Sequence, residues 1–501
     1  MAELEANPWI AHIVNGTLEI TGYRGHATDL TVPAHINHVP VRSIGEEAFK
    51  GNKNLISVTV EAGIAVIGKD AFAYCDNLRE INLPDTVQEI GPSAFARDAA
   101  LLSLDFPEGI TELNECVLMN CTSLQHVTIP ECVTSIDNSA FSGCPALKEI
   151  DLPAGLTYLG NRVFMDSGLT SLTIPVGFRN IPIYLCKGCT DLCAVTLPDG
   201  LESIDNFAFA ECESLAQIDL PASLKTFGLG AFGNSGLTEV TLPQGLETIG
   251  GNAFSGSKLT SVTIPASVTS MPTSAFFSCR NLTEIILEGD SLDFTIRDGF
   301  FLDKEEGTTL LACVPGIQGT LQVPDYVRHI NSSALGGLER VTEIIVPETV
   351  ESVGKYPFDK SMMTRIEIRA PITVLPESCF NDCQNLTDIV LPETLEDIDM
   401  LAFNKCGVRE LTFPSSLRSV GPAAIIDCNN LETVIFPEHV ETLSMMAIAD
   451  CPNLTYVYIP ASVTTIGMNT LENCPNAVVH TPAGSFAATW AAGQGIPVVT
   501  E

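Results

Sequence analysis

Basic residues are scarce in this chain: 25 Lys plus Arg stand against 61 Asp plus Glu over 501 residues, a formal net charge of −36. A surface that acidic repels phosphate backbones and anionic headgroups, so nucleic acid is excluded as a partner. Long apolar runs are missing as well. Stretches such as 300–302 or 423–426 end after a few residues, far short of the roughly 20 needed to span a bilayer, and no membrane insertion is expected. The N-terminus, M-A-E-L-E-A-N-P-W-I, has neither a basic region nor an apolar core, so no secretory leader is read there. Charged residues make up only 17% and hydrophobic ones 45%, which excludes intrinsic disorder and permits a large packed core.

Catalytic signatures are also lacking. No H-E-x-x-H, G-x-S-x-G, phosphate-binding glycine loop or dinucleotide fingerprint occurs, and the 8 histidines show no pairing at metal-ligand spacing. We therefore expect no enzyme, no cofactor and no metal. Cys186, Cys189 and Cys193 form C-x-x-C-x-x-x-C, a spacing zinc uses when a fourth ligand lies close. No histidine follows at useful spacing, and two of these cysteines fall on the repeat positions described next, so packing is the preferred account. Cys116 with Cys121, and Cys379 with Cys383, are read the same way. The 17 cysteines are an odd number in a long chain, which argues for free thiols in a reducing compartment. Cytoplasmic localisation is the expectation, with cell surface or secretion as the alternative.

Length alone suggests roughly three domains of about 150 residues, but a repeat overrides that reading. Pro84, Pro107, Pro130, Pro153, Pro175, Pro198, Pro221, Pro243 and Pro265 fall 22 or 23 residues apart, as in 107 − 84 = 23 and 175 − 153 = 22. The beat returns at Pro324, Pro347, Pro371, Pro392, Pro414, Pro437, Pro460 and Pro482, with small slips around Pro371. About twenty coils fit. Aligned on proline, the unit reads L-x-x-I-x-L-P-x-x-L-x-x-I-G-x-x-A-F-x-x-C, shown well by Leu78, Ile81, Leu83, Pro84, Val87, Ile90, Gly91, Ala94 and Phe95.

Each position has a physical reason. In L-x-x-I-x-L the last apolar residues alternate as in a strand with one buried face, so Ile81 and Leu83 point inward and Glu80 and Asn82 outward. Proline ends the strand because it lacks the ladder N–H, and a second short segment returns along another side, closing on a flexible glycine. The ring at Phe49, Phe72, Phe95, Phe141, Phe164, Phe209, Phe232, Phe254, Phe276, Phe380 and Phe403 is expected to stack coil upon coil as a continuous spine. Three residues later stands a column of small residues: Cys75, Cys121, Cys144, Cys189, Cys212, Cys279, Cys383, Cys406, Cys428, Cys451 and Cys474, replaced by Asp98, Ser167, Ser235 and Ser257 in other coils. A thiol is a small apolar filler with a weak donor, suited to a tight turn. Thiols of adjacent coils would lie about 4.8 Å apart, within reach of a disulfide if oxidised.

This repeat resembles that of the BspA-like family of bacterial leucine-rich repeat proteins over nearly the whole chain. Residues 15–33, N-G-T-L-E-I-T-G-Y-R-G-H-A-T-D-L-T-V-P, resemble the family's leading hairpin, and 481–497, T-P-A-G-S-F-A-A-T-W-A-A-G-Q-G-I-P, its closing helix. From the residues themselves, Asn15-Gly16 is a two-residue hairpin turn, and Ser485 is an N-cap for a short helix ending near Gly493. The expected fold is mainly β: a single leucine-rich repeat solenoid, a right-handed superhelix of 22–23-residue coils with short parallel strands. We divide it into an N-terminal hairpin cap (1–45), a repeat block (46–286), a hairpin insert (287–323, two strands around a turn at 304–307), a second repeat block (324–482) and a C-terminal cap (483–501).

Stacked outward strand positions make a regular recognition surface. The position before the inward leucine runs Asn82, Asp105, Thr128, Asp151, Thr173, Thr196, Asp219, Thr241 and Thr263, then changes to Ile286, Ile345, Arg369, Val390, Thr412, Ile435 and Tyr458, with Tyr456 beside the last. Ile286, Ile345, Arg369, Val390, Ile435, Tyr456 and Tyr458 are therefore the candidate partner-binding residues. An exposed aliphatic and aromatic strip marks protein interaction; the competing account is that such residues simply suit strands. The expected function is a non-catalytic protein-binding scaffold, acting as a monomer because capped ends and strong negative charge oppose self-association. The resemblance adds an exported surface adhesin binding host or matrix proteins as an alternative. An enzyme with a site assembled across coils is a third reading, which no spacing favours.

Overall fold

The computed structural model describes residues 8–290 and 292–500. The chain divides into two compact units, one running to Phe276 and one beginning at Phe277, and each is a stack of coils. In the first unit the L-x-x-I-x-L segments form short parallel strands in register. Asp29–Val32, Ser57–Val60 and Glu80–Asn82 pair with Val58 opposite Ile81, Ser103–Asp105 pairs with His126–Thr128, and Ser171–Thr173 with Ala194–Thr196. Period-two alternation decides the faces: Ile81 is buried between exposed Glu80 and Asn82. Proline then turns the corner, its carbonyl accepting from the amide three residues on, as Pro84 O does from Val87 N at 3.0 Å. Two-residue strands such as Val66–Ile67 and Glu89–Ile90 stack along the second side.

The third side is the A-F-x-x-C turn, and it alternates two kinds of hydrogen bond. Asp70, Phe72 and Tyr74 donate their amides to the next coil, at Pro92 O (3.0 Å), Ala94 O (2.8 Å) and Ala96 O (2.9 Å). Ala71, Ala73 and Cys75 donate locally, to Gly68 O, Asp70 O and Phe72 O. The geometry requires left-handed backbone at two residues per coil, Asp70 and Tyr74 (φ 53° and 64°), then Ser93 and Arg97 (φ 57° and 66°). Few of these residues are glycine, and the intercoil bonds offset the roughly 1–2 kcal/mol that a left-handed L-residue costs.

The glycine of I-G serves close approach, where the sequence had implied flexibility. A Cβ added at Gly91 would lie 2.6 Å from Lys69 N, and one at Gly68 would lie 2.7 Å from Glu46 N. Neither glycine has a positive φ. The spine is likewise discontinuous. Phe49, Phe72 and Phe95 stack at centroid spacings of 4.8 and 5.7 Å, and Phe209, Phe232, Phe254 and Phe276 at 5.6, 5.6 and 5.5 Å. Between them, Leu118 and Cys186 fill the ring position, fully buried. In the second unit Phe358, absent from the sequence-derived ring set, stacks on Phe380 at 5.9 Å; its coil carries Pro357 where the consensus has alanine. Beyond Phe403 the position passes to Ile425 and Ile448, so the requirement is apolar volume rather than a π-face.

Both terminal coils are covered. Trp9–Val14 and Thr17–Tyr23 form an antiparallel hairpin, turned by Asn15 and Gly16 with φ 51° and 82°, and Trp9 packs on Tyr23 and Phe49 at 4.9 and 6.4 Å. At the other end the helix Phe486–Gln494 is N-capped by Ser485, whose Oγ accepts from Ala488 N at 3.1 Å. The helix runs through Gly493; the left-handed C-cap is Gly495 (φ 73°), whose amide reaches the carbonyls of Ala491 and Ala492.

In the second unit, Gly319–Gln322, Val341–Val346, Arg365–Ile368 and Asp388–Val390 form one parallel sheet. Glu410–Thr412, Thr433–Ile435, Tyr456–Tyr458, Val478–Thr481 and Val498–Thr500 form another. Phe300–Asp303 and Thr309–Cys313 make an antiparallel pair, preceded by a further antiparallel strand, Phe294–Arg297. The Asp303 carboxylate pins the turn by accepting from Glu306 N at 2.9 Å and Thr308 N at 3.0 Å. Thr309–Cys313 then pairs in parallel with His329–Ile330, returning to the coil stack.

Two substitutions check these contacts by urea unfolding. Phe232→Ala removes a fully buried ring stacked on both faces and should cost about 3–5 kcal/mol. Gly91→Ala should lower the unfolding midpoint although its backbone suits alanine, because the new Cβ meets Lys69 N at 2.6 Å. A midpoint equal to the parent's in the glycine variant would show that coils can separate there without loss.

Candidate protein-recognition face

All seven candidate residues lie in the second unit, and register divides them. Ile345 stands opposite Glu367, which stands opposite Val390. Glu367, rather than Arg369, thus holds the outward row. Counting back from Pro371 misplaces the row by two residues, because the prolines step by 24 there (371 − 347 = 24) while the paired strands step by 22 (367 − 345 = 22). Arg369 lies just past its strand, where its Nε donates to Glu367 Oε1 at 2.7 Å. The adjacent row is Glu343, Arg365 and Asp388. Arg365 donates to Glu343 Oε1 at 3.0 Å and also to Asp388, so this stretch of the face is an ion-pair cluster in which Arg365 and Arg369 offset most of the charge of Glu343, Glu367 and Asp388.

A second row, Thr412, Ile435, Tyr458 and His480, is set by the other sheet. Ile435, Tyr456 and Tyr458 are half-buried, each outward but shielded by its neighbours. Tyr458 Oη donates to Glu438 Oε1 at 2.7 Å, and the Tyr456 ring stacks on His480 with centroids 4.1 Å apart. His480 was missed as a member of this face. The signal was available: it precedes Pro482 by two residues, as Tyr458 precedes Pro460. Ile286, 46% exposed, lies in Glu284–Leu287 and joins neither row; Val390 is 39% exposed.

The cysteine column lies on the opposite task of holding coils together. Cys75 Sγ donates to Phe49 O at 3.2 Å, Cys121 Sγ to Phe95 O at 3.1 Å and Cys428 Sγ to Phe403 O at 3.0 Å, each reaching the ring residue of the preceding coil. Ser361 makes the same bond to Leu335 O at 2.9 Å. Burial pushes the Cys144 and Cys383 thiols up to about 12 and keeps them protonated as donors. Cys186 and Cys189 are buried in ring and column positions, whereas Cys193 is exposed and donates to Thr170 O at 3.2 Å. Among the described residues no three His, Cys, Asp or Glu side chains are placed to hold a metal ion, and no helix is long and apolar enough to cross a membrane.

Asp98 breaks the column's rule. It is fully buried; one carboxyl oxygen accepts from Cys75 N at 2.8 Å and the other, Oδ2, has no hydrogen-bond partner. Burial raises its pKa well above 3.8, aided by nearby Asp76 and opposed by the Cys75 amide and Lys53. Because the folded pKa exceeds the unfolded one, the neutral carboxyl's stability is complete below the unfolded value and is lost as pH rises through the folded one. Asp98→Ser, matching Ser167 and Ser235, should therefore stabilise by about 1–3 kcal/mol near neutrality. That gain should shrink as unfolding is measured toward about pH 4; a gain independent of pH would show that charge is not its source.

The description "BspA type leucine rich repeat region" matches residues 42–170, 157–283, 318–431 and 363–478, leaving out the segment that holds the antiparallel strands. Among solved structures the chain is similar to a leucine-rich repeat protein from Bacteroides ovatus, 20% identical over 100% of both chains with a TM-score of 0.36. It is also similar to a leucine rich cell surface protein from Faecalibacterium prausnitzii, 22% identical over 97% of this chain and 96% of that one, TM-score 0.27. A third is a leucine-rich repeat protein of T. pallidum, 26% identical over 42% of this chain and 88% of that one, TM-score 0.32. Comparison with curated proteins gives no match. The matched stretches span well over half of the sequence, and with coils closed by the same proline, ring and thiol positions, the chain belongs to the BspA-type leucine-rich repeat family.

Proposed function

We propose that this protein is a non-catalytic scaffold that binds a protein partner through the outward strand face of its second unit. The observation that carries this reading is the row Thr412, Ile435, Tyr458 and His480, with Tyr456 stacked beside it. Half-buried rings held by neighbours lose little freedom on binding, which is why tyrosine serves as an interface anchor. The ion-paired rows around Arg365 and Glu367 supply a polar margin, and Ile345 and Val390 extend the apolar area. The expectation of a monomer is kept on the same physical grounds: hairpin and helix cover the terminal coils, and like charge opposes self-association.

The test compares proteins retained by the wild-type chain with those retained by Ile435→Ser/Tyr458→Ser, followed by titration of any protein that differs. Loss of about tenfold or more in affinity, from an anchor worth about 1.4 kcal/mol or more, supports the reading. Unchanged retention and affinity would remove it. Protease treatment of intact source cells beside a lysed control directs where that partner is sought, since disappearance without lysis points to extracellular proteins and survival until lysis to cytosolic ones.

A further inference from the structure

The outward sheet of the first unit is interrupted. His126–Thr128 pairs with Ser103–Asp105, and Ser171–Thr173 pairs with Ala194–Thr196, yet residues 149–151 between them form no strand. Lys148 O still accepts from Thr170 N at 3.0 Å, but among the described residues the backbone groups of Glu149, Ile150 and Asp151 have no backbone partner. Residues 217–219 and 239–241 also form no strand, yet Ile218 there is 7% exposed; Ile150 is half-buried, whereas Val127 and Leu172, its equivalents in adjoining coils, are 5% and 2% exposed. Beside Ile150 lies an open groove of about 720 Å³, floored by Ile150, Leu152, Ile174 and Leu197. At its edge stands Val176, 81% exposed, held out on the turn before Gly177.

The groove is lined by the carboxylates of Glu149, Asp151 and Asp199 and by no basic residue. The adjoining Lys148 is engaged with Asp191 at 2.7 Å. An apolar floor beneath unneutralised acids selects an occupant that carries both an aliphatic group and positive charge. A bare cation does not meet this requirement, since it leaves the floor open and the described residues offer no set of three ligands for it.

We propose that this groove binds an extended basic peptide segment of a partner protein. An aliphatic side chain of that segment covers Ile150, Leu152 and Val176. The flanking lysine or arginine side chains pair with Asp151 and Asp199, and the peptide backbone meets the open amides and carbonyls of 149–151. The site is separate from the tyrosine row of the second unit, so either can fail without the other.

Fluorescence anisotropy of a labelled hexapeptide alternating lysine and valine tests the proposal on the full-length protein. The expected result is saturable binding that Asp151→Asn/Asp199→Asn weakens about tenfold or more, that Ile435→Ser/Tyr458→Ser leaves unchanged, and that a glutamate–valine hexapeptide does not show. Absence of saturable binding overturns the proposal. So does an equal loss in Glu351→Gln/Glu396→Gln, which removes the same charge from exposed positions elsewhere and would reveal diffuse attraction to an acidic surface.

Discussion

Coil-to-coil approach at strand spacing, about 4.8 Å, is the constraint on which everything else in this chain depends. The glycine after the second strand has no Cβ because Lys69 N or Glu46 N of the preceding coil already occupies that space. The column residue is small and carries a proton because the carbonyl of the preceding ring residue lies 3.0 to 3.2 Å from its sulfur. The turn accepts left-handed backbone at Tyr74 or Arg97 because only then do alternate amides reach the next coil. Three features that look unrelated in the sequence are thus consequences of one distance.

That constraint leaves one surface comparatively free. Outward strand residues contact neighbouring outward and turn residues rather than the buried ring and column, so they vary without disturbing the stack, and their variation is where recognition can reside. In the first unit they are mostly polar, with pairs such as Thr128 donating to Asp105. In the second they form ion-paired and aromatic rows instead. The strong net charge is spread over the exposed sides of the coils; the buried ring and column positions carry almost none, and Asp98 marks what a carboxyl there requires, namely protonation.

Much of this was legible beforehand. The 22–23-residue proline beat, the alternation around Ile81 and the caps at Asn15-Gly16 and Ser485 each follow from local chemistry that any stacked coil must satisfy. The errors were also local. Counting from Pro371 assigned Arg369 to the row that Glu367 holds, since a ruler based on proline fails where the proline itself falls two residues later in its coil and the register is set by hydrogen bonds instead. The ring spine was read as continuous because Phe recurs, whereas packing asks only for apolar volume and accepts Leu118, Cys186 and Ile425.

By itself the sequence determined the repeat, the inward and outward assignment, the coil corners and the family, because these depend on residue type at fixed spacing. Only the tertiary structure decided which outward residues share a row, that His480 stacks on Tyr456, that Asp98 keeps one oxygen unpaired, and that the ladder opens at 149–151 over an acidic groove. Those features depend on register and on the fit between successive coils, and a one-dimensional pattern cannot encode how two copies of itself meet.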